Sequence, residues 1–254
     1  MTDETTEIEE IEEQPEPKPR RPHKYENLRH AVRYFYDLQK LRIQTGNRNA
    51  KREDGSGAAL DEADKAFLTT SAEGLNKLEK DALKEVKRLL KGIPIYEEWL
   101  SEQRGCGPTM SGVIVAELET AARYDTVSNL WSYCGLAVDT ATGKARRRKK
   151  GEKANWNSFA KTKFLGVLAP CLLKSNSPWK RLYDDYKHRK TSAGWGTSDG
   201  HRHNAAMRYM TKLFLQELWI KWRELEGLPV TPPYSEAKLG IKHGEHSATG
   251  VLQP

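Results

Sequence analysis

The chain has no run of apolar residues near the roughly 20 that a membrane span requires, so no membrane association is expected. It also lacks the basic, apolar start of a secretory signal. Residues 1–13 hold Asp3, Glu4, Glu7, Glu9, Glu10, Glu12 and Glu13 and no base, and a cytoplasmic protein is expected. Cysteine is scarce. Cys106, Cys134 and Cys171 are odd in number, widely spaced and without a C-x-x-C pair, which excludes a disulfide framework and a zinc knuckle and leaves reduced core thiols as the expectation. Alternation of apolar and polar residues over several strands is missing, and so is any βαβ rhythm. The expected fold class is therefore all-α, in the main.

Charge is abundant. Of 254 residues, 37% are hydrophobic and 30% charged, with a net charge of +7. That figure understates the basic character, because without the seven acids of residues 1–13 the remainder carries +14. Such an excess favours an anionic partner through counterion release and says nothing about sequence preference.

Four segments follow from composition. Residues 1–24 combine the acidic run with Pro15, Pro17, Pro19 and Pro22, too little apolar surface to fold, and read as a disordered tail. Residues 25–94 read as a helical hairpin arm. Leu28, Val32, Phe35, Leu38 and Leu41 share one helical face, the polar stretch 46–57 forms a turn, and Leu75, Leu78, Ala82, Val86 and Leu89 continue the period until Gly92 and Pro94 end it. Such an arm is expected to be structural or dimerising. Residues 95–227 read as a compact helical domain anchored by all seven tryptophans. Residues 228–254, with Pro229, Pro232 and Pro233, read as an extended tail.

Two elements in the compact domain carry chemistry. Around Gly105-Cys106-Gly107-Pro108-Thr109, a helix ending near Gln103 meets a tight turn and restarts, with Pro108 at the first helical position. Gly105 and Gly107 let the main chain approach a ligand, and the amides near Thr109 point at an anion, as a helix-hairpin-helix grips phosphate. The second is the run 142–153, whose Lys144, Arg146, Arg147, Arg148, Lys149, Lys150 and Lys153 face one acid, Glu152. Charges this dense stay solvated unless a polyanion neutralises them. Five or six phosphate contacts would give a log-log salt slope on the order of −4 to −5. Trp156 follows closely, an aromatic suited to stacking on a base. Arg202 and His203, with Arg208, are read as further backbone contacts.

These residues resemble a known family, the insertion-sequence transposases with an N-terminal RuvC-like nuclease domain and a C-terminal domain containing a helix-hairpin-helix. The resemblance runs through 105–108, Ala116-Glu117-Leu118, the block 128–136 ending in Gly135-Leu136, the basic stretch 143–153, the helix 155–173, and more weakly 204–219. It implies DNA binding during mobile-element transposition, and the family's nucleophilic serine before a glycine falls at Thr142, before Gly143. Threonine carries the hydroxyl, but its methyl crowds attack. The family's four-acid, strand-rich nuclease has no counterpart in the helical first hundred residues. The leading expectation is a DNA-binding protein of the transposase type, homo-oligomeric, with a RuvC-like nuclease as a possible partner. The alternatives are an active or split recombinase using Thr142, and an RNA-binding or phage-type interaction protein without catalysis.

Neither a cofactor nor a metal is expected. His188, His201 and His203 lack completing ligands, and the adjacent Asp184 and Asp185 point about 100° apart on a helix. Met207, Met210, Phe214, Leu218 and Trp222 fall at helical spacing and read as core.

Overall fold

A computed structural model of the chain describes residues 22–50, 56–57, 60–138, 145, 147–148 and 150–231. Among the described residues the elements are helices: α1 (Glu26–Asn49), α2 (Glu62–Leu90), α3 (Pro94–Glu98), α4 (Pro108–Leu118), α5 (Val127–Tyr133), α6 (Ser158–Lys163), α7 (Ala169–Lys174), α8 (Trp179–Ser192) and α9 (Asp199–Leu225). An isolated antiparallel bridge joins Val138 and Ala145.

α1 and α2 are antiparallel. Gln39 and Arg42 donate to Glu79 at 3.1 and 2.5 Å, and farther along Asn49 donates to Thr69 at 3.0 Å. This pairing corrects the register read from periodicity. The buried stripe of α2 is Glu79, Ala82, Val86 and Leu90, while Leu41 and Leu78 stay 49% and 47% exposed. Arg42 and Gln39 turn inward to meet the Glu79 carboxylate, and that rotation carries the neighbouring Leu41 out to solvent.

α4 is the central helix. Every residue from Met110 to Leu118 is buried, as expected of a helix apolar on all sides. α1 and α2 cross it where a glycine permits close approach: a Cβ on Gly112 would stand 2.8 Å from Val32 Cγ2 and 3.0 Å from Val86 Cγ1. The base of the hairpin arm, through Leu28, Val32, Val86 and Leu90, therefore belongs to the same core as α4 and α9.

α6 and α7 form one helical run broken by a π segment at Phe164–Leu168. Pro170 lies just beyond it, lacking an N–H and crowding the carbonyl four residues back, and a wider turn relieves that clash. α8 and α9 form a second antiparallel hairpin. The predicted α9 stripe is buried as expected, and Phe214 packs edge-on against Trp179 with centroids 5.2 Å apart.

Two sequence expectations need correction. Not all tryptophans enter the core: Trp99, Trp131, Trp179, Trp219 and Trp222 do, but Trp195 is 39% exposed because it lies in the turn between α8 and α9. Cys106 and Cys134 are buried thiols, whereas Cys171 is exposed on the outer face of α7.

Candidate nucleic-acid interface

The glycine turn joins a short α3, extended by the single 3-10 turn Leu100–Glu102, to α4. Cys106 N donates to Gln103 O at 2.9 Å to close it, and Pro108 opens α4 as expected. The two glycines have different surroundings. Gly105 has φ +91°, and a Cβ there would stand 2.6 Å from Ser175 Oγ and 2.8 Å from the Cys171 carbonyl oxygen. Glycine is needed at this position to pack against the end of α7. Gly107 has φ −67° and lies exposed with open space beside it, capping α4 without a side-chain hydrogen bond. Thr109 is half-buried in the first turn, while Ser111 turns back and donates to Cys106 O at 3.4 Å.

The basic loop leaves the core at Gly135 and re-enters at Asn157, and both ends are tightly braced. Leu136 N donates to Trp131 O at 2.7 Å and Asn157 N to Tyr133 O at 2.8 Å. Arg208 of α9 donates to the carbonyls of Gly135 and Ala137 at 3.4 and 3.0 Å. The Val138–Ala145 bridge then draws the two strands of the loop together. Thr142, Lys144, Arg146 and Lys149 lie outside the described residues. Arg147, Arg148, Lys150 and Lys153 are all exposed, and no ion pair among the described residues involves them. Trp156 is half-buried, packed on Gly135, with Lys161 Nζ 4.6 Å from its ring centroid.

Glu117 is the residue that sequence reasoning passed over. Its side chain is 3% exposed, and its carboxylate accepts from Arg33 at 2.8 Å and from Asn157 Nδ2 at 2.6 Å, with Arg29 Nε at 3.6 Å. Tyr133 Oη donates to the Glu117 carbonyl at 2.9 Å and accepts from Asn157 Nδ2 at 3.0 Å. Asn157 also caps α6 by accepting from Ala160 N at 2.9 Å. One carboxylate therefore ties the arm, the central helix and the return end of the basic loop together. The only signal in the sequence was its place in the Ala116-Glu117-Leu118 block.

These contacts fix the relation between the two predicted elements. Glu117 meets Asn157 at one end of α4, and Gly105 meets Cys171 and Ser175 at the other, so α4 and the α6–α7 run are antiparallel. Ten residues of helix separate Gly107 from Glu117, about 15 Å along the axis. The glycine turn and the root of the basic loop thus stand at opposite ends of one helix pair.

Arg202 and His203, at the start of α9, make contacts within the α8–α9 hairpin. Arg202 donates to Gly196 O at 3.4 Å and has Asp199 at 3.9 Å, and His203 Nδ1 lies 2.6 Å from Tyr183 Oη. Beside them Lys190 Nζ sits 4.7 Å from the Trp195 ring and His201 packs on it at 4.9 Å. Among the described residues no group of three or more His, Cys, Asp and Glu is placed to hold a metal, and no helix is long and apolar enough to cross a membrane.

No curated protein matches the chain. A family model described as the Transposase IS116/IS110/IS902 family matches residues 97–183. The matched stretch runs from α3 into α8 and contains the glycine turn, α4 and the basic loop, while the arm and α9 lie outside it. The match agrees with the resemblance read from the motifs: residues 97–183 are similar to the transposase domain of the IS116/IS110/IS902 family.

Proposed function

We propose that this protein binds the sugar-phosphate backbone of DNA during transposition, with the basic loop as its main contact. The observation that carries this reading is a set of exposed cations, Arg147, Arg148, Lys150 and Lys153, without ion-pair partners among the described residues, on a loop braced at both ends inside the transposase-family segment. A flexible run would lose much of its binding energy to ordering; a braced one loses less. Gly107 and the first amides of α4 offer a second contact. It lies about 15 Å from the loop root, the rise of four or five base pairs at 3.4 Å each. The two elements would therefore meet different phosphates along a strand, with Arg202 and His203 as further backbone contacts. The arm of residues 25–94 mediates dimerisation or docks a RuvC-like nuclease.

Binding of the full chain to duplex DNA, branched DNA and structured RNA, each at two salt concentrations, tests this reading. Weakening of DNA binding at higher salt, and across all sequences when Arg146, Arg147 and Arg148 become alanine, supports it. Binding that is absent or insensitive to salt defeats it, and preference for structured RNA selects the RNA alternative.

The recombinase reading is favoured by one observation: the family-matched segment includes the position before Gly143 where a hydroxyl stands, Thr142. Strand transfer by Thr142→Ser but not Thr142→Ala, assayed with a nuclease partner present, supports a nucleophilic hydroxyl, and activity surviving in the alanine variant excludes it.

A further inference from the structure

The root of the basic loop holds cations that the loop itself does not supply. Arg208 and Lys212 are one turn apart on α9, so their side chains leave the same face. Arg208 reaches the carbonyls of Gly135 and Ala137, and its Nε is buried without a hydrogen-bond partner. Lys212 lies with Nζ 3.9 Å from the centroid of Trp131, whose indole N–H in turn donates to Lys212 O at 3.0 Å. Lys161 also packs against Gly135, its Cδ 2.8 Å from where a Cβ of that glycine would be. Among the described residues no carboxylate forms an ion pair with Arg208 or Lys212. Like charges four residues apart repel each other, and withdrawing them from water adds to that cost. The arrangement is costly in the unliganded chain and favourable once an anion arrives.

We propose that Arg208 and Lys212, with Lys161 beside Gly135, form a seat for a single phosphate group at the root of the basic loop. The identification of that phosphate as part of a DNA strand rests on the proposed function; the seat itself rests on the cation cluster. Burial and mutual repulsion push the Lys212 ammonium down to about 8 from its ordinary 10.5, and burial lowers Arg208 as well. Both effects fit cations awaiting an anion. The bracing of Gly135 and Ala137 by Arg208 means that a phosphate held here is held beside the departing end of the basic loop.

The test uses the full chain and inorganic phosphate. Melting is followed as phosphate replaces chloride at constant ionic strength, for the wild type, Lys212→Met and Lys212→Arg. The seat predicts a rise of about 2–4 °C for the wild type and Lys212→Arg once phosphate is several-fold above its Kd, with Lys212→Met folded but unresponsive. No rise in the wild type, or an equal rise in Lys212→Met, overturns it. Duplex DNA in the same buffers then identifies the source. If DNA fills the seat, Lys212→Met lowers the salt slope by about one and Lys212→Arg restores it. A phosphate response without DNA binding would leave the seat in place and defeat DNA as its occupant. DNA binding with an unchanged slope in Lys212→Met would uphold the DNA reading and remove the seat from it.

Discussion

Asn157 Nδ2 donates to Glu117 Oε2 at 2.6 Å, joining the residue that ends the basic loop to a carboxylate buried on the central helix. The other oxygen of the same carboxylate accepts from Arg33 at 2.8 Å. The loop, the core and the arm thus share one charged group, and a disturbance of any of the three is felt by the others.

Glu117→Ala leaves the Arg33 guanidinium and the Asn157 amide without their acceptor. Removing one partner of a buried pair costs roughly 3–5 kcal/mol, and less here because Arg33 is partly exposed. We expect a loss of about 2–4 kcal/mol in urea denaturation and faster tryptic cleavage within residues 145–153 at temperatures where the core remains folded. Unchanged cleavage would show that Glu117 does not brace the loop.

Two glycines on helices should respond in opposite directions to alanine. At Gly112 the new Cβ meets Val32 and Val86 at 2.8 and 3.0 Å, and overpacking of that kind costs about 1–3 kcal/mol, more than the helix propensity gained. At exposed Gly74 nothing lies within 4 Å of the new Cβ, and Gly74→Ala should stabilise the chain by up to about 1 kcal/mol. Denaturation midpoints of the two variants check both signs.

Lys212 gives the chain a pH-dependent stability whose sign can be worked out. Its folded pKa of about 8 lies below the 10.5 of the unfolded chain, so between those values the unfolded state holds more protons and stability rises with pH. Below 8 the buried charge costs about 3 kcal/mol at most. Lys212→Met should therefore be more stable than the wild type at pH 7, by a margin that shrinks as the pH approaches 10. Denaturation series at pH 7, 9 and 10 measure this, and a variant less stable than the wild type at pH 7 contradicts it.

The thiols should divide one against two. Cys171 is exposed, whereas burial pushes the Cys106 thiol up to about 12 and raises Cys134 as well. The thiolate is the reactive species, so an aromatic disulfide reagent should titrate one thiol quickly in the native chain and three after denaturation. A second fast equivalent would place Cys106 or Cys134 in contact with solvent.

Much of the fold is legible in the sequence where local chemistry alone decides. Pro108 marks the start of α4, and the stripe from Met207 to Trp222 is core because its spacing matches a helix buried on one face. Reading fails where a partner distant in sequence decides. Leu41 and Leu78 fit the period of their helices yet face solvent, since Glu79 takes a buried place to receive Arg42. Gly105 looks like a residue freed for a ligand, and only the fold shows the end of α7 pressed against it. Glu117, Arg208 and Lys212 are ordinary charges on helices until the packing shows them withdrawn from water. The residues at the tip of the basic loop are the reverse case: their density in sequence is visible at once, and no core contact is needed to explain it.

The most direct measurement of the central claim is lysine footprinting of the full chain with and without duplex DNA, read by mass spectrometry after brief acetylation. If the basic loop holds the backbone, Lys144, Lys149, Lys150 and Lys153 become protected in proportion to DNA bound, while Lys77, Lys80, Lys84 and Lys87 on the exposed face of α2 react as before. Protection confined to α2, with the loop lysines unchanged, would contradict the account.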